Sequence, residues 1–352
     1  MIYLNLAFDH ELSLGGGVRS YEENLLAPTR ALLDLAATLE VPITLFTDVL
    51  CGIRFREWEP AGFGRDFEQQ LQAAAGTGQD VQLHLHPHWL DSRFENGRFV
   101  PSERYSLHDF RHSDEWGGID GIVGMGVDYL EEVVRPVNSA YEVLAFRAGG
   151  LVIEPSTHEI AESLASRGVR YDSSVAPGYR FETQISKVDF SRVPSSPNWP
   201  LESSAITEIP IATAPRNTLN NLPALARRIL RRSEAPCAGG FPLYDASSGL
   251  LDKAARLFPR SAWFLSFDLY WASGPYLVSL LDRYLAGRDC GEGEDIFVST
   301  LSHPKSMGAG GLRVMEEFVG AARTKYGDQL RFCTFPDLPA IPCGDQPPVT
   351  DE

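Results

Sequence analysis

The sequence predicts an α/β protein built as a parallel (β/α) barrel, on three observations. Segments of strand-like and helix-like periodicity alternate about seven times along the 352 residues. Polar and titratable residues gather where the strand-like segments end, the side on which such barrels carry their chemistry. No GxGxxG follows the first strand, which argues against an open dinucleotide-binding sheet. Gly15-Gly16-Gly17 lacks the required spacing and adjoining helix start, and reads as a flexible loop.

Taken in order, residues 2–8 read as a buried strand ending at Asp9-His10-Glu11, and 21–39 as a helix. A strand at 42–46, a helix at 67–75 closed by Gly76, and a strand at 81–86 follow. The stretch 90–126 has no clean period and mixes aromatics, polar residues and glycines, so it reads as an inserted loop. Regularity resumes with a helix at 127–137, a strand at 143–146 ending in Arg147-Ala148-Gly149-Gly150, a helix at 157–167 and a strand at 169–172. A second excursion, rich in Pro and Ser, occupies about 176–205. Strands at 206–211, 262–268 and 296–301 and helices at 222–232, 276–284 and 312–326 complete the pattern. The expectation is one barrel domain over 1–335 with a loose tail at 336–352.

Composition narrows the function classes. With 43% apolar and 22% charged residues the chain is globular in type. Its net charge of −16 and the lack of a basic stripe interleaved with aromatics exclude nucleic acid as a partner. The one basic cluster, Arg227, Arg228, Arg231 and Arg232, reads as a solvated helix face. Met1-Ile2-Tyr3 leads directly into a strand-like segment, which predicts no secretory signal, and no apolar run is long enough to insert in a membrane. Five cysteines, odd in number and in no CxxC pair, predict neither a disulfide framework nor a zinc ribbon, and so a reduced, cytoplasmic protein.

Of the eight histidines, three fall in His84-Leu85-His86-Pro87-His88 at a strand end. His84 and His88 can converge on one ion if the chain bends at Pro87; the competing reading is a hydrogen-bonded histidine cluster on a loop. Asp9 and Glu11, two apart on a strand, point to one side while His10 points away. Such a pair needs an offsetting charge, which a divalent metal or an arginine supplies, and Arg147 is the candidate arginine. His303 ends another strand in Leu301-Ser302-His303-Pro304 and can act as a general acid, since its ordinary pKa lies near neutrality. His108, His112 and His158 have no convergent partners and read as solvated.

Six segments together carry a family resemblance. They are Phe8-Asp9-His10-Glu11, Ile43-Thr44-Leu45-Phe46, the histidine cluster, Phe146-Arg147-Ala148-Gly149-Gly150, Tyr171-Asp172-Ser173-Ser174-Val175 and Leu301-Ser302-His303-Pro304. In order and in strand position, over residues 2–305, this series resembles the polysaccharide deacetylase superfamily, also called NodB-homology or carbohydrate esterase family 4. The resemblance implies a distorted barrel of seven or eight strands that hydrolyses N- or O-acetyl groups on sugars at an Asp-His-His metal site, usually zinc. It makes Asp9 the base, Glu11 the replacement for the usual aspartate ligand, and His84 and His88 the paired histidine ligands, with His86 in range as the alternative to His88. It also makes His303 the acid and Arg147 the residue that orients Asp9. Asp172 is the candidate partner of His303, with Asp268 at another strand end competing. The Pro-Tyr that follows the arginine in many members is absent, so the oxyanion donor is expected from a backbone N–H near Gly149.

The expected function is a metal-dependent hydrolase that removes an acetyl group from a carbohydrate or sugar precursor. One alternative keeps the site but acts on a small non-sugar amide or cyclic ureide. Another is a catalytically silent barrel that binds a glycan or a protein. Trp89 and Trp116 are placed to stack on a sugar face, slightly favouring the carbohydrate.

Overall fold

This computed structural model describes residues 1–13, 20–95, 98–182, 187–193, 196–215, 227, 230–234, 262–289 and 293–339. Strands β1 (Ile2–Asn5) and β2 (Ala7–His10) precede helix α1 (Ala27–Leu39) and β3 (Thr44–Asp48). Helices α2 (Val49–Trp58) and α3 (Phe63–Gly76) lead to β4 (Asp80–Leu85). A hairpin of β5 (Arg93–Glu95) and β6 (Arg98–Val100) comes before α4 (Gly118–Val134), β7 (Ala145–Ala148), α5 (Thr157–Ser166) and β8 (Tyr171–Asp172). A second hairpin, β9 (Arg180–Glu182) with β10 (Lys187–Asp189), is followed by β11 (Trp199–Pro200), β12 (Thr207–Glu208), β13 (Thr213–Pro215) and β14 (Ala262–Phe264). The last described elements are α6 (Gly274–Ala286), β15 (Ile296–Ser299), α7 (Pro304–Tyr326) and β16 (Leu330–Phe332).

Seven strands form one sheet in the order β11-β12-β8-β7-β4-β3-β2, and β15-β1-β16 form a second. Every pairing in these two sheets is parallel except β11 with β12. The break at Leu6 splits the expected first strand in two, and so lets one run of chain serve both sheets. Single bridges from Phe8 to Ser302 and from Ile211 to Ser299 stitch the sheets together. The described residues therefore form a mixed α/β architecture around a parallel-rich sheet, and among them the strands do not make one continuous closed ladder.

Side-chain parity decides what faces inward. Alternate residues of a strand share a face, and Ala7, Phe46, Ala145, Ile209, Phe297 and Phe335 pack there as one buried cluster. One step further toward the strand ends, the same parity delivers Asp9, Asp48, His84 and Arg147. The helices cover the other face; α3, for example, buries Phe67, Leu71 and Ala74 at helical spacing.

Two helices start earlier than periodicity predicts, for one physical reason. α4 begins at Gly118, inside the expected excursion, and α7 at Pro304 rather than 312, its first turn set off from the rest by a kink at Gly308 (φ 52°). Glycines interrupt the apolar period in both, because neighbouring groups come too close for a side chain. A Cβ at Gly126 would meet Leu83 Cδ1 at 2.9 Å, and one at Gly311 the Phe267 carbonyl oxygen at 2.8 Å. Pro304 at the first helical position also suits a start there. Strand β16, only three residues long, gave no signal of its own.

The triple glycine at 15–17, Cys237, Cys290 and Cys343, most of the arginine-rich segment at 222–232, and the tail beyond 339 lie outside the described residues. Cys51 and Cys333 are buried free thiols. No helix among the described residues is long and apolar enough to cross a membrane.

Asp172 and Glu208, fully buried, stand opposite each other on β8 and β12. The backbone N–H and the hydroxyl of Ser174 donate to Asp172 at 2.9 and 2.8 Å, and Val175 N–H donates to Glu208 Oε1 at 3.1 Å. Glu208 Oε2 receives no donor. Adjacent buried carboxyls cannot both ionise, and a proton kept on Glu208 satisfies that orphan atom. Burial, with Asp172 beside it, pushes the Glu208 carboxyl well above its ordinary 4.5. The folded state then binds more protons than the unfolded one above about pH 4.5, so this pair costs stability as pH rises. Glu208→Gln removes that titration; between pH 5 and pH 8 it should gain about 1 kcal/mol or more relative to wild type in urea denaturation. Identical pH dependence in the two proteins would show that the pair holds no proton.

Candidate metal centre

Asp9 and Glu11 leave the end of β2 on one side, and His10 turns to the other. There His10 Nε2 lies 2.9 Å from Gln70 Oε1 and its ring packs on Phe67, a structural role in the core. β3 and β4 align Asp48 with His84, and β4 and β7 align His84 with Arg147. The candidate groups thus come from neighbouring parallel strands.

Arg147 is fully buried. Its Nη1 donates to Asp9 Oδ1 at 2.6 Å, and its Nε to the Ser173 carbonyl at 2.8 Å. Nη2 donates to Ser173 Oγ and Ser299 Oγ, both at 3.0 Å, and to the Thr300 carbonyl at 3.1 Å. Burial works against an ionised Asp9, but the Arg147 guanidinium, with His84 and His303, holds its carboxyl below the usual range. With Oδ1 engaged, Oδ2 faces inward, 4.0 Å from His84 Nε2 and 3.8 Å from His303 Nε2.

Glu11, His84 and His86 bring one donor atom each within 4.8 Å of one another, all three residues being buried. His84 Nδ1 donates to the Arg147 carbonyl at 2.8 Å, which turns Nε2 toward Glu11 Oε2, 3.3 Å away. His86 Nε2 contacts the same oxygen. Two ligands ~2.1 Å from a tetrahedral ion stand about 3.4 Å apart, so the Glu11–His84 spacing fits a shared cation. The second hydrogen bond on His84 is the kind that fixes a metal-binding imidazole. One carboxylate and two imidazoles are a donor set suited to zinc with a position left open.

The third donor atom gathered here belongs to His86, whereas His88, the favoured partner of His84 in the sequence reading, lies outside the cluster. The backbone at His86 is still extended (φ −108°, ψ 91°), so two residues after His84 it presents its ring to the same face. Only then does Pro87–Trp89 turn, carrying His88 away. Its ring lies against Trp89 and Tyr105, neither ring nitrogen has a hydrogen-bond partner, and burial pushes its pKa well below the usual value. Gly149 is required beside the cluster, because a Cβ there would lie 2.4 Å from the Leu85 carbonyl oxygen and 2.8 Å from His86 Nδ1.

Asp172 is corrected too. It is spent on Ser174 beside Glu208, whereas Asp268 Oδ2 accepts from His303 Nδ1 at 2.7 Å and Asp268 Oδ1 from His303 N–H at 2.8 Å. Burial disfavours a charged His303, yet Asp268 outweighs it and pushes the pKa up to about 9. The His303 and Asp268 side chains, each 23% exposed, are the most accessible of these groups.

Trp89 is fully buried, its Nε1 donating to Asp48 Oδ2 at 2.5 Å, so it is wall packing and offers no sugar platform. Trp116 is half-buried near Asp91. His108, expected to be solvated, is half-buried with its Nδ1 2.8 Å from Ser156 Oγ. Sequence reasoning missed two site residues. Asp48 accepts the His86 N–H at 3.3 Å and anchors the turn; its position at a strand end was the available signal. Lys305 reaches Glu11 from α7.

No family model matches the chain, and no curated protein matches it. Among solved structures it is similar to a protein assigned as a polysaccharide deacetylase from Mycobacterium smegmatis, at 14% identity and TM-score 0.49, covering 94% of this chain and 86% of that one. A protein likewise assigned, from Pseudomonas aeruginosa, is 14% identical at TM-score 0.45, covering 96% and 89%. A family 4 carbohydrate esterase from Streptomyces lividans is 12% identical at TM-score 0.37, covering 93% and 90%.

Arg147 makes the sharpest stability test. Arg147→Met strands the Asp9 carboxylate without its cation and should cost about 3–5 kcal/mol in urea denaturation. Adding Asp9→Asn should recover at least ~1 kcal/mol of that loss. A double variant that is simply the sum of the two singles would mean the pair is not energetically coupled.

Proposed function

We propose that this protein is a metal-dependent hydrolase that removes N- or O-acetyl groups from a carbohydrate, with Glu11, His84 and His86 as metal ligands. The observation that carries this reading is that buried donor set, flanked by a carboxylate oxygen held open on one side and a histidine held by a carboxylate on the other. The acetyl-sugar substrate follows from the ordered motifs of the sequence. A divalent cation bound there would polarise the acyl carbonyl and acidify water.

The residues divide the remaining work. Arg147 fixes Asp9 so that Oδ2 alone is available, and that oxygen takes a proton from the attacking water. The water oxygen bonds to the acetyl carbon as its bond to the sugar nitrogen or oxygen breaks. His303, its Nδ1 committed to Asp268, gives the Nε2 proton to the departing amine or alcohol. Asp9 and His303 thus carry opposite halves of the proton transfer, and the products are acetate and the deacetylated sugar.

A silent binding barrel is favoured by one feature alone, the Lys305 ammonium already seated on Glu11. A zinc titration and an acetate assay on N- and O-acetylated sugars separate the readings. Wild type should bind about one zinc and release acetate, and a chelator should stop the release. His86→Ala should lose the metal, and His88→Ala should retain it. Asp9→Asn should keep the metal but lower kcat about 10²–10⁴-fold. A folded wild type that takes up no divalent metal, or zinc-loaded protein that releases no acetate, ends the proposal.

A further inference from the structure

Lys305, on the first turn of α7, enters the centre from the side the strands do not supply. Its Nζ donates to Glu11 Oε1 at 2.9 Å and to the Leu12 carbonyl at 3.1 Å, and its side chain is 13% exposed. Two acceptors on one chain segment hold the ammonium in place. The Glu11 oxygens therefore face different groups: Oε2 looks to His84 and His86, and Oε1 to Lys305 at 2.9 Å, with His303 Nε2 farther off at 3.5 Å. Asp9 has its own cation in Arg147, so Lys305 serves Glu11.

We infer that Lys305 is a tethered cation that shares Glu11 with the divalent metal, steadying the carboxylate before the metal arrives and weakening the metal's hold afterwards. The inference rests on the reading of Glu11, His84 and His86 as ligands. A carboxylate buried without a partner is strongly disfavoured, and Lys305 removes that penalty in the metal-free protein. Once a divalent ion sits on Oε2, the ammonium on Oε1 repels it across a single carboxylate in a site with little solvent to screen the charges. The extra methylene of glutamate over aspartate lets the carboxylate extend between the helix-borne lysine and the strand-borne histidines.

The test compares zinc affinity, by competition with a chromophoric chelator, in wild type, Lys305→Met and Lys305→Arg, together with Tm with and without zinc. Lys305→Met keeps the length of the side chain and removes the charge. It should bind zinc on the order of tenfold more tightly, melt lower than wild type without metal, and show a larger rise in Tm on adding zinc. Lys305→Arg, which restores the charge, should return the affinity toward wild type. Equal or weaker zinc binding by a folded Lys305→Met overturns the inference and leaves the ligand assignment standing. Absence of zinc binding in both folded proteins overturns the ligand assignment and the inference with it. If Lys305→Met does not fold, Lys305→Gln takes its place with the same expected and contrary outcomes.

Discussion

The ion pair between Arg147 and Asp9 is the constraint on which the rest of the site depends. A fully buried guanidinium is costly unless its donors are met, and here they reach Asp9 in β2, Ser173 after β8, and Ser299 and Thr300 at the end of β15. These contacts span both sheets at the place where single bridges join them. The guanidinium carbon lies 4.2 Å above the Phe46 ring, so the same residue caps the inner apolar cluster. Its carbonyl meanwhile accepts from His84 Nδ1. One arginine sets the available oxygen of Asp9 and the available nitrogen of His84.

Charge is distributed so that most acids at the site have a dedicated partner. Asp9 has Arg147, Glu11 has Lys305, and Asp268 has His303. Asp48 is different: burial raises its pKa, and its donors, the Trp89 indole and the His86 N–H, are neutral groups of the turn it anchors. It acts on the shape of the site, holding the chain extended through His86 before it turns. This matters because a few ångströms at that turn decide which imidazole faces Glu11.

What the sequence made legible follows from periodicity. Strand alternation correctly separated Asp9 and Glu11 from His10, because a period of two survives whatever the strand pairs with. The same rule applied to His84 points to His86; the bend expected at Pro87 is present, but it carries the His88 ring against Trp89 and Tyr105 and leaves His86, still on the extended chain, facing Glu11. Asp172 was drawn in by motif resemblance, although its neighbour Ser174 is a short-range donor that can occupy it. The competing Asp268 won through a contact across 35 residues that no local pattern encodes. The glycine-rich start of α4 was hidden because close packing, not helix propensity, selects glycine there.

Lys305 was illegible for a different reason. A lysine on the first turn of a helix is usually solvated and sits poorly with the positive end of the helix dipole. Its seat is set by a buried carboxylate, whose charge the Lys305 ammonium offsets together with the neighbouring histidines. Glu11 carries two oxygens with unlike neighbours, His84 and His86 on Oε2 and Lys305, with His303 farther off, on Oε1. On the proposed reading, a glutamate so divided would be held firmly before a metal binds without being closed to that second cation.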